Sequence, residues 1–288
     1  MAASSDIAAS CKPAPTVSTE MRAGQVLPAS HLYAMPNLPS QGLYADLLAA
    51  RQQGTKRLAV LLDPGKLPAE HLRRTVALAA ESGVHYFYIG GSLVVNDHLD
   101  TLLADIRRQC DIPLVLFPGN SFQLSWRADA LLFLSLISGR NPELLIGQHV
   151  VAAPYLKASP LEVLSTGYLL IDGGVMTSVQ YMSNTYPIPA QKDDIAVCTA
   201  LAGEMLGLKT LYLDAGSGAQ RPVSERMIEA VRGAVSVPLM VGGGICTPQK
   251  VAANCRAGAD VVVVGNAIEQ DPSLIREMAA ALREAEHC

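Results

Sequence analysis

Three glycine-bearing turns and a strand-terminal aspartate are the residues of this chain best suited to chemistry. Asp214-Ala215-Gly216-Ser217-Gly218, Gly242-Gly243-Gly244-Ile245 and Gly265-Asn266 each follow a short apolar run. Glycine lets the backbone approach a ligand closely and adopt positive φ. Backbone N–H groups exposed in such turns, where a helix begins, cradle a phosphate without any basic side chain. One such turn alone reads equally well as a tight strand–helix connection; three in succession point to a phosphate site. Asp63, in Leu62-Asp63-Pro64-Gly65-Lys66, either points a carboxylate at a ligand or serves the turn before a helix. Another run ends in Gly90-Gly91-Ser92. Asp63 and Ser92 on neighbouring strands would suit Mg²⁺, which takes few protein ligands and keeps waters or phosphate oxygens; Ser92 suits a helix cap as well. Tyr168 reads as a core aromatic or as a ligand-contacting hydroxyl. Trp126 reads as packing ahead of lining an apolar groove. His85, His98 and His149 lack triad spacing, and no G-x-S-x-G elbow exists, which argues against a nucleophilic hydrolase.

The elements that must position these residues follow from the apolar pattern. Eight short runs stand at Leu58–Leu62, His85–Ile89, Pro113–Phe117, Ala130–Leu134, Gly167–Ile171, Thr210–Leu213, Val237–Val241 and Asp260–Val264. Each is nearly continuous in apolar residues, as expected of strands covered on both faces. Helical stretches lie between them at Ala69–Ser82, Gln191–Leu206, Ser224–Val231 and Thr247–Ala257, and another begins near Gln41. This alternation predicts a parallel sheet, and eight units predict a (β/α)8 TIM-type barrel over 41–288. In such barrels ligands sit at the C-terminal strand ends, so the glycine turns converge on one rim. The link Pro118–Asp129 is too short for a full covering helix, so the barrel is expected to lack one of its eight. Residues 1–40, rich in Ala, Ser and Pro, read as a poorly structured N-terminal extension.

Composition narrows the partners. Half of the residues are hydrophobic, 17% are charged and the net charge is −4. No strongly basic block appears, so nucleic acid is not expected as a partner. No secretory signal pattern is visible, and no apolar run is long enough to span a bilayer. A cytoplasmic protein with at most peripheral membrane contact is expected, and the apolar composition fits a homo-oligomer. The six cysteines show no C-x-x-C pair and no zinc spacing, and read as reduced, mostly buried thiols.

The chain resembles the geranylgeranylglyceryl phosphate synthases and their bacterial PcrB-like relatives, from about Leu58 to about Ile268. The resemblance rests on LLDPGK at 61–66, YFYIGGS at 86–92, PLVLFPGN at 113–120, YLDAGSGA at 212–219, VGGGI at 241–245 and VVVGNAI at 262–268. It implies a barrel lacking one helix. It also implies a prenyltransferase in which sn-glycerol 1-phosphate attacks a polyprenyl diphosphate, geranylgeranyl in the first instance, and displaces diphosphate. By the same resemblance Mg²⁺ is held by Asp63 and Ser92. Glycerol phosphate lies along Tyr212, Leu213, Asp214, Ala215, Gly216, Ser217 and Gly218, with its phosphate at Gly243, Gly244, Gly265 and Asn266. Asp214 is then the catalytic candidate, a carboxylate able to accept the proton of the attacking hydroxyl. The family usually carries Glu at the position of Asp214, commonly a basic residue at that of Cys246, and in some bacterial members Lys at that of Leu61.

Two other functions compete. A phosphosugar isomerase on the same barrel would present similar turns but needs a paired acid and base, for which Asp63 and Asp172 are the candidates. A non-catalytic phosphate- or lipid-binding scaffold is the second, with Asp214 and Cys246 marking lost activity.

Overall fold

The computed structural model describes residues 42–65, 68–91, 98–121 and 123–286. Eight parallel strands pair in chain order and close into a barrel: β1 (Arg57–Leu62), β2 (Tyr86–Ile89), β3 (Leu114–Leu116), β4 (Ala130–Ser135), β5 (Glu162–Leu170), β6 (Thr210–Asp214), β7 (Leu239–Gly242) and β8 (Val261–Val264). β8 returns to β1 with Leu58 opposite Val262 and Val60 opposite Val264. All eight expected runs are strands. β5 begins five residues earlier than its apolar run because Glu162, Ser165 and Thr166 interrupt the apolar character of its first half, while their backbone still pairs with β4. The expected extension at 1–40 lies outside the described residues.

Strand alternation sorts the core into two layers. Ala59, Tyr88, Val115, Leu132, Tyr212 and Met240 point inward and fill the barrel. Leu58, Phe87, Leu131, Leu213, Val241 and Val262 point outward against the helices. The helices are α1 (Leu43–Gln53), α2 (Ala69–Ser82), α3 (Leu99–Arg107), α4 (Gln148–Ala158), α5 (Ser178–Ser183), α6 (Asp193–Met205), α7 (Glu225–Ala234), α8 (Pro248–Arg256), α9 (Asn266–Gln270) and α10 (Leu274–Ala285). A π-helical turn at Glu143–Gly147 leads into α4. No described helix is long and apolar enough to cross a membrane.

α1 belongs to the interior layer, with Leu43 and Leu47 buried in it. It closes the N-terminal end of the barrel. Its first amide groups lack intrahelical partners, and the Glu162 carboxylate accepts from those of Leu43 and Tyr44. Asp46 pairs with Arg57 at 3.0 Å and accepts from the Tyr86 hydroxyl. The opposite end of the barrel is therefore the open one.

The connection from β3 to β4 carries no helix among its described residues. The chain is held there by side chains instead. Gln123 donates to the carbonyl of Gly91 and accepts from the amide of Gly119, both at 3.1 Å. The outer face of β4 is thus left without the helix that every other strand connection supplies. Trp126, expected as packing, stands 57% exposed on this segment. The thiols also depart from expectation. Cys198 on α6 and Cys246 at the cavity mouth are exposed, Cys110 is half-buried against the outer core layer, and Cys255 alone of these four is buried.

Candidate active site

A cavity of about 770 Å³ opens at the C-terminal ends of the strands. One side is polar. Asp63 enters it from the end of β1, Ser217 and Gly218 from the turn after β6, Gly243 and Gly244 from the turn after β7, and Gly265 and Asn266 from the turn after β8. The Ser217 hydroxyl donates to Asn266 Oδ1 at 2.8 Å and ties two of these turns together. Gly243 and Gly244 have φ of +82° and +69°, a region costly to residues with a Cβ. A Cβ on Gly243 would press on Asp214 Oδ1 and stand 2.6 Å from the amides of Ala215 and Gly216. The turn is therefore glycine both for its own backbone and for what packs beneath it.

The other side is apolar and wraps over β4. Leu132 and Leu134 line it from inside the barrel, Leu131 and Phe133 from the outer face, and Ala152 and Leu156 from α4. The cavity reaches the outer face of β4 because no helix covers it there. Sequence reasoning did not name these α4 and β4 side chains. Their signal was the short β3–β4 link, which implies an uncovered strand face.

Asp214, at the end of β6, is 6% exposed and lines the same cavity. Its Oδ1 accepts from the amide of Gly216 at 2.7 Å and its Oδ2 from the Tyr168 hydroxyl at 2.5 Å. Burial pushes its carboxyl above the usual range, against the pull of these two donors. Tyr168 itself is held well above the ordinary phenol value by burial and then by the Asp214 charge. It serves as core aromatic and cavity lining at once. Phe117 stacks on Tyr212 with ring centres 5.3 Å apart, and Tyr212 on Tyr168 at 5.6 Å.

Not every expected residue faces the cavity. Tyr212, Asp214, Ser217, Gly218, Gly243, Gly244, Gly265 and Asn266 line it, as does Tyr168. Leu213 and Ala215 do not present side chains to it. They belong to the outer layer, since strand alternation turns the neighbours of an inward Asp214 outward. Gly216 serves the turn, with φ +87° and its missing Cβ directed at Thr177. Asp63 is buried in the mouth, and its Oδ1 accepts from the amide of Gly65 at 3.0 Å. Ser92 lies outside the described residues. Asp172, the would-be partner of Asp63 in an isomerase, accepts from the amide of Gly174 and pairs with Arg221 at 3.4 Å on the surface. The two carboxylates of that reading do not share the cavity.

The closed parallel barrel and the cavity at its C-terminal mouth define a (β/α)8 protein with a site built for a ligand part polar and part apolar. Residues 52–284 match the PcrB family, and the chain belongs to that family. It is 55% identical over 243 residues to the geranylgeranylglyceryl phosphate synthase of Chitinophaga pinensis, covering 84% of this chain and 96% of that one. It is 38% identical over 229 residues to the geranylgeranylglyceryl phosphate synthase of Korarchaeum cryptofilum, covering 78% and 94%. Among solved structures it resembles (S)-3-O-geranylgeranylglyceryl phosphate synthase from Thermoplasma acidophilum in complex with substrate sn-glycerol-1-phosphate. That likeness has a TM-score of 0.80 at 29% identity and covers 85% of this chain and 99% of that one.

Proposed function

We propose that this chain is a prenyltransferase that joins sn-glycerol 1-phosphate to a polyprenyl diphosphate, with geranylgeranyl as the expected chain, and releases diphosphate. The observation that carries this reading is the single cavity with a glycine-lined polar side and an apolar side over β4. A small phosphorylated polyol and a long hydrocarbon need opposite surroundings yet must meet at one point. The turns at Gly243, Gly244, Gly265 and Asn266 offer backbone donors to the glycerol phosphate, and Ser217 offers a hydroxyl. Leu131, Phe133, Ala152 and Leu156 offer the prenyl chain a surface away from water. Asp214 stands between them, where a carboxylate can orient the attacking hydroxyl and take its proton. Its raised proton affinity suits that task.

Charge supports a Mg²⁺ requirement. Among the described residues the cavity is lined by Asp63, Glu143, Asp214 and Glu269, and by no Lys or Arg side chain. Two anionic substrates placed among carboxylates need a cation with them. No three His, Cys, Asp or Glu side chains gather to hold a metal among the described residues, which fits an ion that shares substrate oxygens with few protein ligands. Asp63 would hold it, with Ser92 its expected companion. When bound, Mg²⁺ supplies positive charge to the departing diphosphate.

Incubation of the purified chain with sn-glycerol 1-phosphate and geranylgeranyl diphosphate tests the reading. Diphosphate release that needs both substrates and Mg²⁺, with an ether-linked product by mass spectrometry, is the expected result. Binding of both ligands without product would leave a non-catalytic scaffold. The expectation of a homo-oligomer stands beside this; the exposed Val150, Val151 and Tyr155 on α4 support it, and sedimentation tests it.

A further inference from the structure

We propose that Tyr168 and Asp214 act as one proton-accepting unit, in which the Tyr168 hydroxyl meets the attacking hydroxyl of the acceptor and hands its own proton to Asp214. This rests on the prenyl-transfer reading and deepens it. Tyr168 lies on β5 in register with Tyr212, one inward step below the level of Asp214. Its hydroxyl rises to Asp214 Oδ2, while Oδ1 is taken by the amide of Gly216. Each carboxylate oxygen is therefore already held by a protein donor. Tyr168 also lines the cavity. A phenol oxygen that donates one hydrogen bond still has lone pairs with which to accept another. The geometry continues the carboxylate outward through the phenol.

The step balances without a further reactant. The acceptor oxygen forms its bond to the allylic carbon as the bond from that carbon to diphosphate breaks, and the electron pair of the broken bond leaves with diphosphate. The acceptor proton passes to the Tyr168 oxygen as the Tyr168 proton passes to Asp214 Oδ2. Tyr168 ends as it began, and Asp214 ends protonated. A phenol held this far from ionising favours such a joint movement over a standing phenolate. The titratable groups that face Asp214 are Tyr168 from β5 and Tyr212 on its own strand. β7 opposes it with Gly242 and Gly243.

The test compares wild type, Tyr168→Phe, Asp214→Asn and the double variant under single-turnover conditions, with sn-glycerol 1-phosphate affinity measured separately by calorimetry. Tyr168→Phe is expected to slow transfer by roughly 10²-fold, as for loss of a general base, with acceptor affinity within about threefold. Residues acting as a unit are grossly non-additive, so the double variant should be no slower than the worse single one. The acid limb of the Tyr168→Phe profile should move to higher pH, because the lost hydrogen bond favoured the charged carboxylate. Wild type in mixtures of H2O and D2O should show a bowed rate dependence, since two protons move together; this readout needs no variant to fold. Multiplying losses, a near-normal Tyr168→Phe or a straight-line isotope dependence would overturn the inference alone. A wild type that forms no product would overturn the function itself and the inference with it.

Discussion

The β6–β8 rim and the outer face of β4 reach the same cavity by different means. At the rim, β6 and β7 end in turns whose glycines hold positive φ, β8 ends at Gly265 with an ordinary negative φ, and the lining is backbone plus a few short polar side chains. Over β4, the lining is side chains of a strand and a helix, laid bare because the β3–β4 connection has no helix among its described residues. The first construction fixes donors in place through backbone geometry that only glycine adopts readily, and it tolerates little change. The second is a surface of leucine, alanine and phenylalanine whose shape can be altered one side chain at a time. One barrel thus holds a rigid glycine-lined rim beside an adjustable apolar groove.

On that contrast, substitutions at the polar carboxylates should damage chemistry, and those in the rim and in the groove should have separable effects. Asp63→Asn keeps the acceptor for the Gly65 amide but removes the charge that would hold Mg²⁺. Turnover should fall by on the order of 10³-fold, several kcal/mol of transition-state stabilisation, with an unchanged melting temperature. Steady-state rates across a Mg²⁺ titration would check it, and normal rates would remove Asp63 from the metal site.

Asp214→Asn should lower kcat by roughly 10²-fold. It should also stabilise the fold at neutral pH. The folded carboxyl has a raised pKa, so wild type gains most stability when Asp214 is protonated and loses it as pH rises through the folded value. The amide escapes that loss. Denaturant unfolding at pH 4 and pH 7 should show the variant's advantage, about 1 kcal/mol, growing with pH. An advantage that shrinks as pH rises would contradict the burial argument.

Gly243→Ala should cost stability, about 2 kcal/mol from the left-handed backbone with crowding at Asp214 added. A rise in acceptor KM is then partly a consequence of the shifted turn. Gly218→Ala is the matched control, since its φ is +79° but nothing stands within 4 Å of the added carbon. A larger loss at Gly218 than at Gly243 would remove the packing argument.

Ala152→Phe sharpens the other half of the comparison. A bulky ring in the groove should raise KM for a long prenyl donor about tenfold or more, the scale on which apolar pockets discriminate by size. Affinity for sn-glycerol 1-phosphate and for a short donor should stay as in wild type. Equal effects on both substrates in competition assays would mean that the two sides are not separate.

Much of this was legible in the residues themselves. Eight apolar runs, each followed by a turn, specify a parallel barrel because continuous burial on both faces leaves few other solutions. Asp214-Ala215-Gly216-Ser217-Gly218 and the glycines after β7 and β8 had to meet, since the fold gathers all C-terminal strand ends on one rim. The missing helix was legible as a length. What the sequence alone could not show is which way each side chain points and what it touches. Leu213 and Ala215 turned outward because alternation admits one inward phase, and that phase belongs to Asp214. Asp172 was taken up by Arg221 at the surface. The bond between Tyr168 and Asp214, 46 residues apart, exists because β5 and β6 pair in one register. The groove over β4 exists because α4 and the β3–β4 segment flank a bare strand face. Sequence patterns determine periodicity and turn chemistry, which are local. Register and the packing of distant segments are settled by the whole barrel closing at once, and the meeting of a buried carboxylate, a phenol and an apolar groove is a product of that closure.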